Sequence, residues 1–360
     1  MRPRPPLTRI GILALTAGLP VLAQAFPDSP AFGGSRVFSL GLNPVGNSAR
    51  FDQALPGWYV GGWDGDQKPK DQQQALDALA GALGGDNFAL GGALAKLADN
   101  PWAERTRSYG AIFAQAGGVH GSLVREETSS LLAAPDLDPA HRGGASALAL
   151  NTTTLDVRRT VVNRLVLGAG SLQDGVAYGY ALRLEDWRVG QQTAALNPTG
   201  TQVPLLTPGA LLDYKDSGQK YFAATLDAGA IFELSPGIRL GAMVDRLVPR
   251  TFGDIKEQAQ ARAGVQVDLG SSAQFSVESD LNQAYRLPYT VKQRTASASL
   301  RIAANPTVQA VLGAQRRQIG GQSTTAFGAM LYIRAGAFLL GAGMQVSQDR
   351  PLKGFGVQIE

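Results

Sequence analysis

Residues 261–281, ARAGVQVDLGSSAQFSVESDL, decide the fold. Ala261, Ala263, Val265, Val267 and Leu269 alternate with Arg262, Gly264, Gln266 and Asp268. After Gly270-Ser271-Ser272, Ala273, Phe275 and Val277 alternate with Gln274, Ser276, Glu278 and Asp280. Both arms have a period of two, so this is a hairpin with one apolar and one charged face. The question it poses is whether the apolar face meets a protein core or lipid.

The same period continues on either side. GVAYGYALRLED sets Val176, Tyr178, Tyr180, Leu182 and Leu184 against Ala177, Gly179, Ala181, Arg183 and Glu185. FAATLDAGAIFEL sets Phe222, Ala224, Leu226, Ala228, Ala230, Phe232 and Leu234 against Thr225, Asp227 and Glu233, and GIRLGAMVDRL sets Ile238, Leu240, Ala242 and Val244 against Arg239, Gly241 and Asp245. RTASASLRIA, TVQAVLGAQ, AFGAMLYIRAG, AFLLGAGMQVS and GFGVQIE extend the series. Ser235-Pro236-Gly237 and Ala304-Asn305-Pro306 are tight turns, whereas 128–145, 195–220, 248–259 and 283–292 are longer links. Short turns at one end and long loops at the other are the layout of an outer-membrane barrel.

The N-terminus names a compartment. MRPRPPLTR is basic, IGILALTAGLPVL is a short apolar run, and AQA supplies small residues before Phe26. This is the three-part pattern of a secretory signal peptide over 1–25, with cleavage expected between Ala25 and Phe26. The run is shorter than the roughly 20 residues a helical span needs, so a membrane protein here must cross as strands. The 360 residues include 44 Gly and no Cys, which excludes thiolate metal sites, cysteine nucleophiles and disulfides. Of the 33 basic residues, which face 29 acidic ones, Arg2, Arg4 and Arg9 fall in the leader. The mature chain is near neutral and shows no basic stripe, which argues against nucleic acid as a partner.

Between the leader and residue 107 the pattern differs. PGWYVGGWDGD reads as an aromatic-bearing loop, DQQQALDALAGALGG as a helix with Leu76, Leu79 and Leu83 on one face, and DNFALGGALAKLADNP as a second helix with Leu90, Leu94 and Leu97 together. The expected organisation is a partly helical N-terminal plug over 26–107 and a barrel over 108–360. The fold class is all-β, a transmembrane antiparallel β-barrel of about 12–14 strands. Sequential hairpins without covering helices suit a closed up-and-down barrel. In lipid a strand protein must close on itself to satisfy its backbone. The chain ends on Glu360, where such barrels commonly end on an aromatic residue.

LDAGAIFELSPGIRLGAMVDRLVPRTF followed by ARAGVQVDLGSSAQFSVESDL resembles the barrel domain of FadL-superfamily outer-membrane proteins, closest to the branch of TraF-like (plasmid transfer) and PorV-like barrels. The likeness covers 220–345. It implies an N-terminal segment plugging the lumen, for which GLNPVGNSARF offers Asn43-Pro44, and transport of a hydrophobic ligand as the superfamily activity. It also implies outer-membrane lipids and the barrel assembly machinery as partners.

Arg183, Arg239, Asp245, Arg262, Asp268, Glu278, Asp280 and Arg301 are the candidate lumen residues. They could select a solute, but as ladder ion pairs they would brace the wall. His120 and Ser122, two apart on one strand face, could form a base–nucleophile pair for lipid acyl hydrolysis. No third orienting group is identifiable, so the pair reads as polar lumen or rim. The WDGD stretch, Trp63–Asp66, supplies two carboxylates, short of the 6–8 oxygens that Ca²⁺ takes. Trp58, Tyr59 and Trp63 read as rim, plug or belt aromatics. No cofactor or metal is expected. The functional expectation is a non-enzymatic barrel that passes a hydrophobic or small solute, with a structural or docking barrel of an envelope or conjugation-type assembly as the alternative.

Overall fold

In the computed structural model, strands and helices follow one another as β1 (Gly57–Gln67), α1 (Lys70–Ala82), α2 (Asn87–Asp99), β2 (Trp102–Gln115), β3 (Val119–Ala134), β4 (Thr154–Gln173), β5 (Val176–Ala195), β6 (Gln219–Ser235), β7 (Ile238–Asp245), β8 (Arg250–Phe252) and β9 (Ile255–Glu257). Then come β10 (Gln260–Leu269), β11 (Ala273–Asp280), β12 (Ala284–Tyr285), β13 (Lys292–Ala303), β14 (Val308–Ile319), β15 (Gln322–Ala335), β16 (Phe338–Ser347) and β17 (Arg350–Ile359). The structure describes residues 37–38, 57–67, 70–82, 87–99, 102–115, 119–141, 150–173, 175–195, 218–253, 255–286, 291–305, 307–336, 338–347 and 350–359. The leader and its cleavage point at Ala25 and Phe26 lie outside them.

Antiparallel pairing runs from β1 through β7 to β10 and β11, then across to β13 and on through β17, which pairs back with β1. Apart from the two-residue β12, every strand of this 15-stranded sheet has a partner on both sides, so the described residues form a closed ring of fourteen. Closure removes the exposed edges that an open sheet would present. One rim carries the tight links, such as Ser235-Pro236-Gly237 with Gly237 at φ 82, and the end-to-end pair Trp58 and Ile359. The other carries the long connections, including the β1–β2 link with both helices.

The alternation resolves inside out. Val265, Leu269, Phe275 and Val277 are exposed, while Arg262, Glu278 and Asp280 across the same strands are buried. On β5, Tyr180 is 62% exposed and Arg183 is 0% exposed. The apolar faces of the hairpins therefore point away from the protein, and the charged faces point into the ring.

Two expectations about the N-terminal region are corrected. From Gly57 on, PGWYVGGWDGD is not a loop but β1, a wall strand paired with β2 along its length and with β17 from Trp58 to Asp64. Glycines on both faces hid its alternation, and WDGD is thus paired backbone rather than a cation loop. The barrel wall begins at Gly57 and includes Trp102–Arg107, so the 107/108 boundary does not divide plug from barrel. The helices form close to where expected, but they do not fill the lumen. Leu76, Leu79, Leu90, Leu94 and Leu97 pack on Leu131 and Ala133 of β3 and on Leu155 and Val157 of β4. Those positions share the outward parity of Leu123 and Leu167, which are exposed nearer the short-turn rim. The helix pair lies against the outer wall because β3 and β4, 16 and 20 residues long, carry apolar residues well above the common band.

Candidate functional site

Inward parity places all eight candidate lumen residues on the inner face, where they pair. Arg262 donates to Glu278 at 2.7 Å and approaches Asp280 at 2.6 Å. Asp280 also accepts the Thr295 backbone N–H at 2.6 Å, and Glu278 the Ser297 hydroxyl at 3.0 Å. Arg239 bonds Asp268 at 2.9 Å and Gln266 at 3.0 Å near the short-turn rim, and Arg301 reaches Gln274 at 3.4 Å. Arg183 pairs with Asp227 on β6, and Asp245 with Arg286.

A second, denser cluster lies toward the long-loop rim, and most of its members were not singled out from sequence. Glu185 on β5 takes Arg164 of β4 at 2.5 Å, Arg250 of β8 at 2.5 Å and the Trp187 indole N–H at 3.0 Å. Glu257 of β9 receives Arg250 at 2.6 Å and Arg246 at 3.2 Å. Arg246 also reaches Asp245 at 3.3 Å, and its backbone N–H bonds Asp227 at 2.9 Å. It has φ 57, the one positive value among described non-glycine residues. A left-handed residue costs on the order of 1–3 kcal/mol. Here its two carboxylate partners and its backbone bond hold it in place.

These contacts fix the β8–β9 hairpin inside the ring. Phe252 packs with Val162, Trp187 and Ala223, all inward-facing, with ring centroids 5.4 Å from Trp187 and 5.2 Å from Tyr221. The link between β7 and β10 thus folds inward and narrows the lumen beside the β4–β6 wall. Asp227 and Glu185 could have been found from sequence, since they share parity with Arg183. Arg164 was hidden because Val162 and Val166 lie on the same inner face of β4, and Arg250 and Glu257 sit in a link without periodicity.

Of the 26–56 segment the described residues are Val37 and Phe38, and both are buried in the lumen with Ala177, Ile231 and Met243. The Val37 backbone N–H donates to Glu278 at 2.9 Å. Gly241 and Gly264 make the room. A Cβ at Gly241 would overlap Val37 Cγ1 and lie 2.9 Å from Phe38 Cε1, and one at Gly264 would meet the Val277 carbonyl at 2.7 Å and Glu278 Cβ at 2.9 Å before Phe38 Cε2 at 3.2 Å.

Ser122 faces the lumen between Ile112 and Val166, neither of which can orient a base, and the side chain of His120 lies outside the described residues. Among the described residues no group of three or more metal-ligating side chains occurs.

A closed antiparallel ring with an apolar exterior and a charged, braced interior defines an outer-membrane-type β-barrel. The chain shares this fold with solved structures described as a toluene transporter and a monoaromatic hydrocarbon channel. The toluene transporter TbuX of Ralstonia pickettii matches with TM-score 0.51 at 12% identity, over 94% of this chain and 98% of the other. A TodX monoaromatic hydrocarbon channel lacking S2 and S3 matches with TM-score 0.52 at 11% identity, over 94% and 96%. At such identities the likeness is one of fold. No protein-family model matches the chain, and no curated protein matches it.

Proposed function

We propose that the chain is an outer-membrane channel through which a hydrophobic or small solute passes by diffusion, without catalysis. The single observation that carries this reading is the inside-out distribution of side chains: among the described residues, apolar ones are exposed on the outer faces of β2–β7, β10, β11 and β13–β16, and buried charged ones line the interior. Water would penalise so continuous an apolar surface, whereas hydrocarbon requires it. Ring closure satisfies the strand backbones internally, which a bilayer demands. The fold shared with proteins described as a toluene transporter and a monoaromatic hydrocarbon channel supports an apolar solute class. By the usual layout, the short-turn rim would face the periplasm and the long-loop rim the exterior. The leader at 1–25 and the barrel assembly machinery would bring the chain there.

A docking barrel in an envelope or conjugation-type assembly, as in the TraF-like and PorV-like branch, is the second reading. Its support is the braced lumen together with a helix pair packed on the outer wall. Planar-bilayer conductance and uptake of a small aromatic hydrocarbon into vesicles separate the two. Both are measured on the mature chain and on one lacking 26–56, a deletion that removes Val37 and Phe38 but leaves β1 in the wall. The channel reading expects hydrocarbon uptake above protein-free vesicles and higher conductance on deletion. If neither form passes hydrocarbon or ions, the docking reading replaces it.

A further inference from the structure

The outer face of β4–β6 changes character along its length. Above the apolar band stand Arg159 on β4, Arg188 on β5 and Lys220 on β6, all of outward parity. Arg188 and Lys220 are exposed and directly opposite each other across the β5–β6 pair. Arg159, opposite Gly190, is diagonal to Arg188. Like charges directly opposite on neighbouring strands repel. Among the described residues no carboxylate pairs with Arg188 or Lys220. The acids on this face are Glu127, held by Arg125 at 2.7 Å and Arg159 at 3.5 Å, and Asp186, which accepts from Asn163 at 3.4 Å.

The level of this cluster is set by strand geometry. At about 3.3 Å per residue and a tilt of about 40°, a strand rises roughly 2.5 Å per residue. Arg188 lies twelve positions beyond Val176, the first outward residue of β5, or roughly 30 Å above it. The apolar band of such barrels is about 25 Å tall. Phe222, 74% exposed and opposite Asp186, lies one step below the cations, where an aromatic girdle belongs. The cations therefore stand just beyond the hydrocarbon edge, at headgroup depth on the long-loop side. The helix pair covers the neighbouring β3–β4 wall further out.

We propose that Arg188 and Lys220, flanked by Arg159, form an external binding site for the phosphate groups of an anionic lipid in the leaflet on the long-loop side. Two donors from adjacent strands can share one phosphate, which removes their mutual repulsion and ties the tall β4–β6 wall to the leaflet. The inference rests on the membrane placement proposed above and not on the cargo.

The test uses the full mature chain, delipidated in non-ionic detergent, with lipid A as the probe and native mass spectrometry as the readout. Dephosphorylated lipid A and inorganic phosphate serve as the comparison arms. A Lys or Arg near an anionic surface is worth about fivefold in affinity, so R188Q/K220Q is expected to bind lipid A roughly twenty-five-fold more weakly. Asp186→Asn, which removes the nearest acid, is expected to bind it about fivefold more tightly. Heat-modifiable gel mobility reports that each variant has folded. Unchanged affinity in R188Q/K220Q, equal binding of the dephosphorylated lipid, or displacement by equimolar inorganic phosphate would each overturn the proposal. Failure of the membrane placement is distinguishable, because the wild-type chain would then stay monodisperse without detergent.

Discussion

Replacing Leu182 by Arg tests what the outer face touches. Leu182 is 38% exposed on β5 and opposite Leu226 on β6, which is also exposed. It lies six positions from Val176, or roughly 15 Å up a band about 25 Å tall, close to its middle. Phe222, opposite Asp186, lies roughly 25 Å up by the same measure, at the band's edge. An Arg on the lipid face costs about 2–4 kcal/mol at the midplane and about 0–1 kcal/mol near an interface. Leu182→Arg should therefore destabilise the barrel by about 2–4 kcal/mol and Phe222→Arg by about 0–1 kcal/mol. On a water-facing surface both substitutions would fall within about 0.5 kcal/mol of the parent. The assay is reversible denaturant unfolding in phosphatidylcholine vesicles, followed by tryptophan fluorescence and compared with the parent chain. Equal, small effects at the two positions would refute the reasoning, because no depth gradient exists in water.

Glu185→Gln removes the shared partner of Arg164 and Arg250, and breaking a buried ion pair from one side costs about 3–5 kcal/mol. The same vesicle unfolding should register that loss, with raised single-channel conductance as the β8–β9 hairpin loosens. Gly241→Ala places a methyl group against Val37, and overpacking of this kind costs about 1–3 kcal/mol. Since the chain has no Cys, a Phe38→Cys reporter should react with a maleimide about tenfold faster in the Gly241→Ala background, an order-of-magnitude expectation from a displacement cost of that size. At the end of β3, hydrogen bonds from the Thr152 and Asp138 backbone N–H groups and from His141 hold the Asp136 carboxyl well below the usual carboxylate range. A depressed folded value means that the stabilisation these hydrogen bonds give is complete above about pH 4, the unfolded value, and fades as pH falls further. Hydrogen exchange of the Thr152 amide should quicken below that pH beyond the intrinsic trend, and Asp136→Asn should abolish the excess.

What could be read from the sequence followed the strength of the two-residue period. The hairpin 261–281 gave its register, its faces and its turn, since every inward position from Arg262 to Asp280 is polar or glycine. The same rule carried β5, β6, β7 and β13. It failed at β1, where Gly61, Gly62 and Gly65 leave both faces without contrast, and where pairing with both β17 and β2 supplies the stability that local pattern lacks. It also misplaced α1 and α2. Their apolar stripes announced helices, but which wall they cover depends on how far β3 and β4 rise above the band, a property of strand length and not of helix sequence. The lumen was half legible for a similar reason. Residues with parity could be assigned to the inner face, while Arg246, Arg250 and Glu257 reach it only because their link folds inward.

The charged interior also explains why the strands hold one register. Slipping β5 by a single residue against its neighbours would turn Arg183 and Glu185 out toward lipid and carry Leu182 and Leu184 into the ring. An Arg in the middle of the apolar band costs several kcal/mol, and its partner Asp227 on β6 would be left buried without a counter-charge. A wall with uncharged residues on both faces would carry neither penalty, and its strands could pair in alternative alignments. Ion pairs that cross from strand to strand, Arg164 to Glu185, Arg183 to Asp227 and Arg262 to Glu278, each tie two neighbours at one alignment. Such pairs are weak evidence for net stability, since apolar residues of similar volume often serve as well. Their contribution here is specificity: the register that closes the ring is the one in which Arg164, Arg183 and Arg262 meet their carboxylate partners while Leu182, Leu226, Val265 and Val277 face outward.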